Sequence, residues 1–195
     1  MPVDHIALSG LTEFPFPVSH SRQPLSGARM SLSEVIDATR DAVTDDVNRA
    51  TVTFRTTNAL VPGTPTQVSV EARGHGFAVD EPASLGGTDV APNPVEYALA
   101  ALGSCQVITY QFWAARLGIR VDGISVTVEG DLDVRGFFGF SEHIRPGFTA
   151  IRVQVSLTGP ETRARYEELR WNADRHCPVL DLFRAETPTR TALAV

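Results

Sequence analysis

The sequence predicts an α+β fold of antiparallel strands with one long buried helix, and three observations carry that prediction. Between Val52 and Val79 apolar residues alternate with others in Val52-Thr53-Phe54, Val68-Ser69-Val70 and Phe77-Ala78-Val79, with Pro62-Gly63 and Gly74-His75-Gly76 as breaks. Period-two alternation between turn residues is the pattern of an antiparallel meander. From Pro94 to Leu117 the pattern is helical, and Tyr97 to Ala115 carries no charge at all. A helix that apolar must be covered on nearly all sides by other elements. Strands, helix, strands, helix and a last strand then follow in an order that fits α+β rather than alternating βαβ units.

Residues 1 to about 30, with Phe14-Pro15-Phe16-Pro17, lack periodicity and are expected on a surface or partly disordered. Ser31 and Glu34 form a capping box, and Leu32, Val35, Ile36, Thr39, Val43 and Val47 recur at helical spacing. This predicts one solvent-facing amphipathic helix over about 31–50, so that 1–50 reads as an N-terminal extension and 51–195 as the domain. The glycine-bearing loop Leu85-Gly86-Gly87-Thr88-Asp89 leads to Asn93-Pro94-Val95-Glu96. Asn93 is a favoured N-cap, Pro94 suits the first helical position and Glu96 the third, while Gly118 supplies the stop. Beyond it, Val121 to Val134 and Ala150 to Thr158 read as strands and Glu161 to Arg175 as a charged helix. Cys177-Pro178 opens a short helix, and Thr187 to Ala194 is expected to close the sheet.

Composition excludes several chemistries. All 17 basic residues are arginine, so Schiff-base catalysis and a phosphate-loop lysine are impossible. A formal charge of −6 with no basic cluster argues against nucleic acid as a partner. The N-terminus lacks the pattern of a secretory signal, which makes a cytoplasmic location the expectation. The uncharged stretch Tyr97 to Ala115 is interrupted by Gly103, Ser104, Gln106, Thr109 and Gln111, so it reads as a helix buried in protein rather than a membrane span.

The two cysteines are the candidates for chemistry. Cys105 sits in the middle of the apolar helix, where it reads either as a small core hydrophobe or as a reactive thiol beside Gly103, Ser104, Gln106 and Thr109. Cys177 precedes Pro178 at a helix start and follows Arg175 and His176, so local electrostatics favours it as the more acidic thiol. The alternative is a capping residue with an inert sulfur. His176 reads as a base for Cys177 or as a surface histidine. Cys105, Cys177, His176, His75 and His143 lack the paired short spacings of zinc ligands, so no metal is expected, and no cofactor. Glu96 has a structural explanation in the capping box, and it lies about 180° around an ideal helix from Cys105. Arg135-Gly136-Phe137-Phe138-Gly139-Phe140 is either a strand end tucked into the core or an apolar lid or pocket wall.

Taken together, Leu85-Gly86-Gly87-Thr88-Asp89, Asn93-Pro94-Val95-Glu96, Leu99-Ala100-Ala101-Leu102-Gly103-Ser104-Cys105 and His176-Cys177-Pro178-Val179 resemble the OsmC/Ohr family. Its names denote osmotically inducible protein C and organic hydroperoxide resistance protein. The resemblance covers roughly Val52 to Leu193. It implies an intertwined α+β homodimer, its long buried central helices wrapped by antiparallel strands, and a thiol-dependent peroxidase that reduces a small hydrophobic hydroperoxide. Cys105 would be the attacking thiolate, Cys177 the resolving thiol, and a small dithiol such as a lipoyl group the reductant. Peroxidase members place a carboxylate ten residues before the cysteine, where this chain has Val95; Glu96 stands one place later, as in other branches. They also place an arginine near the cysteine, for which Arg55, expected on the first core strand, is the candidate, with Arg73 next. Two alternatives remain: an OsmC-like redox-sensing or hydrophobic-ligand-binding protein without peroxidase activity, and a hydrolase using Cys177 with His176.

Overall fold

The computed structural model describes residues 30–194, so the reading of the first 29 residues as a surface segment lies outside the described part. Helix α1 (Leu32–Asp45) starts where the capping box puts it, with the Ser31 Oγ accepting from the Glu34 amide and the Glu34 carboxylate accepting from the Ser31 amide. A short 3₁₀ turn, Val47–Ala50, ends the expected helical stretch. None of the α1 residues is fully buried, and α1 rests against the C-terminal half of α2 (Pro94–Leu117) near Phe112, Ala115 and Arg116.

Strands β1 (Thr57–Leu60), β2 (Val68–Ala72) and β3 (His75–Val79) form the antiparallel meander. Its bounds differ from the sequence reading at two places. Ala72 pairs with His75, so the turn is the pair Arg73-Gly74 with φ of 51° and 82°, and His75 and Gly76 belong to β3 rather than to the break. Two consecutive positive φ values define the tight hairpin turn whose twist matches that of the flanking strands. That turn also shortens β1. β2 ends at Ala72, and Thr57 already faces Glu71, so Val52 to Phe54 pair with no strand among the described residues and lie exposed. Arg55 therefore precedes β1 instead of lying on it.

The loop between β3 and α2 is organised by one buried carboxylate. Asp80 is 1% exposed and accepts from the Thr66 hydroxyl at 2.6 Å, the Thr88 amide at 3.0 Å and the Thr88 hydroxyl at 2.8 Å. The Thr66 hydroxyl, and then the Thr88 donors, hold the carboxyl well below the usual carboxylate range despite the opposing cost of desolvation. A depressed folded-state pKa stabilises above the unfolded-state value of about 3.9 and loses that contribution as pH falls through the folded value. Asp80→Asn places an amide donor against groups that are themselves donors. The expected result is a lower Tm at neutral pH, with the gap to wild type narrowing below about pH 4 in thermal melts; a constant gap would argue against this role.

Helix α2 has the bounds its caps dictate. The Asn93 Oδ1 accepts from the Glu96 amide and the Glu96 carboxylate from the Asn93 amide, each at 2.9 Å, and Gly118 ends the helix. One side of α2 is covered by β4 (Gly123–Asp131), α4 (Arg163–His176) and α5 (Pro178–Arg184). Tyr110 and Ala114 pack there with Ile119, Leu169 and Ala173. Strand β5 (Ala150–Thr158) pairs antiparallel with β4 in a separate two-stranded sheet. The other side of α2, with Ala101, Ser104, Ile108 and Gln111, is exposed in the single chain. Among the described residues no helix is long and apolar enough to cross a membrane.

Two further readings change. Arg135 to Phe140 are not a core strand end: Val134–Phe137 is a one-turn helix, α3, capped by Asp133. Phe137, Phe138 and Phe140 are exposed, Phe137 meeting Phe138 edge to face at 5.0 Å and Phe138 stacking on Phe140 at 5.3 Å between centroids. Thr187 to Ala194 follow α5 without strand pairing among the described residues. Their composition suits a strand, but a strand exists only where another supplies backbone partners.

Candidate functional site

Cys105 occupies the fourth turn of α2, on the flank between the covered and exposed sides, and is half-buried. Cys177 is the N-cap residue of α5, its Pro178 taking the first helical position. The fold brings the two together: Cys177, at 2% exposure, forms a buried cluster with Leu102 and Leu180, against which Cys105, Val128, Ile151 and Val179 pack. Both cysteines are free thiols.

Burial pushes the Cys177 thiol up from its ordinary value, and interaction with the Cys105 sulfur adds to the shift. The Leu180 amide and the Thr109 hydroxyl act the other way without reversing it. The lowered pKa that local electrostatics favoured for the Cys177 thiol is thereby overturned. Its helix start and its cationic neighbours were legible locally, but desolvation by residues distant in sequence outweighs the dipole of a seven-residue helix. Cys177 remains a thiol near neutral pH. His176 donates from Nδ1 to the Asn172 carbonyl at 2.8 Å and packs its ring on Trp113 at 4.4 Å.

The remaining candidates are not gathered around the sulfurs within one chain. The Glu96 carboxylate is held by the Asn93 amide and borders a shallow groove with Leu99, Gly103, Ser104 and Val128. Arg55 is exposed in the segment before β1, and Arg73 is exposed at the β2–β3 turn. The groups that shift Cys177 are Cys105, Leu180 and Thr109, and neither arginine is among them. Thr109 is the residue whose contact with Cys177 the sequence reading did not assign. Its signal was present in the spacing, since it lies four residues after Cys105 on the same helix face.

A family model for OsmC-like protein matches residues 86–192. That span runs from the Gly86-Gly87 loop through both cysteines and covers more than half of the chain. The chain belongs to the OsmC-like family. Solved structures agree with the assignment at the level of fold. An OsmC-like protein from Mycoplasma pneumoniae is 14% identical, over 68% of this chain and 88% of that one, with a TM-score of 0.59. An organic hydroperoxide resistance protein from Elizabethkingia anophelis is 20% identical over 69% and 89%, with a TM-score of 0.55. The organic hydroperoxide resistance protein OsmC from Legionella pneumophila is 21% identical over 68% and 90%, with a TM-score of 0.53. No curated protein matches this chain. The OsmC-like domain thus accounts for α2 and everything after it up to residue 192, whereas α1 lies outside the matched span.

Proposed function

We propose that this OsmC-like protein is a thiol-dependent peroxidase that reduces organic hydroperoxides through Cys105 and Cys177. The observation that supports it is the cluster in which a half-buried cysteine packs against a fully buried one that stays protonated near neutral pH. The Cys105 thiolate attacks the terminal peroxide oxygen, the O–O bond breaks, and the alkoxide leaves as the alcohol after taking a proton. Cys105 becomes a sulfenic acid. The Cys177 sulfur then displaces its hydroxyl, forming the disulfide and releasing water. An external dithiol, of which a lipoyl group is one, restores both thiols by two exchange steps and is itself oxidised to a cyclic disulfide.

The active unit is a homodimer in this reading. Ala101, Ser104 and Ile108 expose one side of α2, all of β1 is exposed, and Phe54 is 82% exposed. A partner subunit covering these surfaces is, in this reading, the source of an arginine beside Cys105, with Arg55 and Arg73 as candidates. The protein acts in the cytoplasm on a hydrophobic small molecule and needs neither nucleic acid nor a membrane. A second reading, binding of a hydrophobic partner without peroxidase activity, is favoured by the exposed stack of Phe137, Phe138 and Phe140.

Reduced protein mixed with one equivalent of cumene hydroperoxide separates the two readings. The peroxidase loses both thiols and about 2 Da of intact mass, the two hydrogens removed on disulfide formation. Cys177→Ser instead gains one oxygen that a dimedone probe traps on Cys105. Two thiols that survive excess hydroperoxide would overturn the proposal and leave the hydrophobic-binding reading.

A further inference from the structure

The thiol chemistry leaves His176 without a role, although it adjoins the buried sulfur of Cys177. Helix α4 ends at His176 and α5 begins at Pro178, so Cys177 is the single residue between them, extended at φ −83° and ψ 111°. Where its sulfur lies is therefore set by how this junction is seated. The seat is α2. Cys105, Thr109 and Trp113 recur every four residues along that helix and so share one flank of it. Each meets the junction. Cys105 packs against the cluster that holds Cys177, and Thr109 turns its hydroxyl to the Cys177 sulfur. Trp113 takes the His176 ring at 4.4 Å between centroids, tilted by 35°.

Both rings of that contact are fixed. Trp113 packs on the core formed with Tyr110, Ala114, Leu169 and Ala173, and the Arg116 guanidinium lies 4.8 Å from its ring centroid. The His176 ring is oriented by its own helix, where Nδ1 donates to the Asn172 carbonyl one turn back at 2.8 Å. His176 is nonetheless an exposed residue, so filling the core does not account for this arrangement.

We propose that the Trp113–His176 contact is a clamp that seats the α4–α5 junction on α2 and so presents the Cys177 sulfur to Cys105, with His176 and Trp113 as positioning residues for disulfide formation. The clamp rests on the reading of the two cysteines as a disulfide-forming pair. Geometry governs such a pair closely, since a disulfide tolerates only a narrow range of Cα separations and a misplacement of about 1 Å can slow a reacting pair by about 10²-fold.

Equilibration of the full-length chain in glutathione buffers, read by intact mass, measures the clamp without any peroxide. One glutathione disulfide takes two electrons from the two cysteine thiols, giving the Cys105–Cys177 disulfide and two glutathione thiols. The equilibrium constant is expected to fall by about fivefold in His176→Ala and to stay within about twofold of wild type in His176→Phe, which keeps a ring on Trp113. Equal constants in wild type and His176→Ala, or a His176→Phe as impaired as His176→Ala, would overturn the clamp and leave the peroxidase reading standing. The expected order of variants, in a pair that cumene hydroperoxide leaves reduced, would support the clamp and overturn the peroxidase reading. A pair that neither oxidant converts to a disulfide would overturn both.

Discussion

Cys105→Ser is expected to lower kcat/KM for cumene hydroperoxide by about a thousandfold or more, the scale seen when a nucleophile is removed from an otherwise intact site. Tm should move by no more than about 3 °C, because the substitution replaces one small side chain that is only half-buried. Cys177→Ser should differ in kind. It retains one round of peroxide consumption per chain and loses turnover with a dithiol, since the sulfenic acid has no internal thiol to capture it. Coupled consumption of hydroperoxide and dithiol gives both rates, and circular dichroism reports the fold. Retained turnover in Cys105→Ser, or loss of the first oxidation in Cys177→Ser alone, would mean that the roles of the two sulfurs are other than proposed.

Gly87→Ala is expected to be the most damaging single methyl group added to the loop before α2. A Cβ at this position would stand 1.7 Å from the Glu81 carbonyl oxygen and 2.4 Å from its carbon, both backbone atoms that cannot swing away. The Glu81 carbonyl also accepts from the Asp89 amide, and Thr88 is held by Asp80, so relief requires opening the whole loop. A cost of about 3 kcal/mol follows, or a Tm lower by roughly 6–12 °C for a domain of this size. Gly86→Ala supplies the control. Its Cβ would meet nothing within 4 Å, so only the φ of +86° resists it, at about 1 kcal/mol. Thermal melts in which Gly86→Ala is the worse of the two would contradict this account of the loop.

These two expectations rest on information of different kinds, and the sequence exposed them unequally. The ends of α2 were legible at Asn93, Pro94, Glu96 and Gly118 because a cap is made by residues within one turn of each other. The β4–β5 pair was legible because alternation at Ile151, Val153, Val155 and Leu157 is a local property of one segment. By contrast, Val52 to Phe54 carried the alternation of a strand and formed none, since β2 had already turned at Arg73-Gly74. Thr187 to Ala194 likewise pair with no strand among the described residues. Pairing is decided by what lies alongside, and alternation records only what a segment could do if paired.

For the candidate site the division is similar. Both cysteines stood out in the sequence, and the motifs around them pointed to the family that the comparison then established. The sequence by itself therefore determined the α+β order of elements, the central helix with its caps, the position of each thiol on its helix, and the family. Only the tertiary structure decided that Cys177 is buried against Leu102 and Leu180, that Cys105 packs there too, and that burial reverses the acidity its local neighbours favoured. Only the tertiary structure, too, left the Gln106 amide and the Tyr110 hydroxyl buried with no hydrogen-bond partner among the described residues. The physical reason is one of range: hydrogen-bonded caps and periodicity act over three or four residues, whereas desolvation sums over every atom that packs nearby, whatever its distance along the chain.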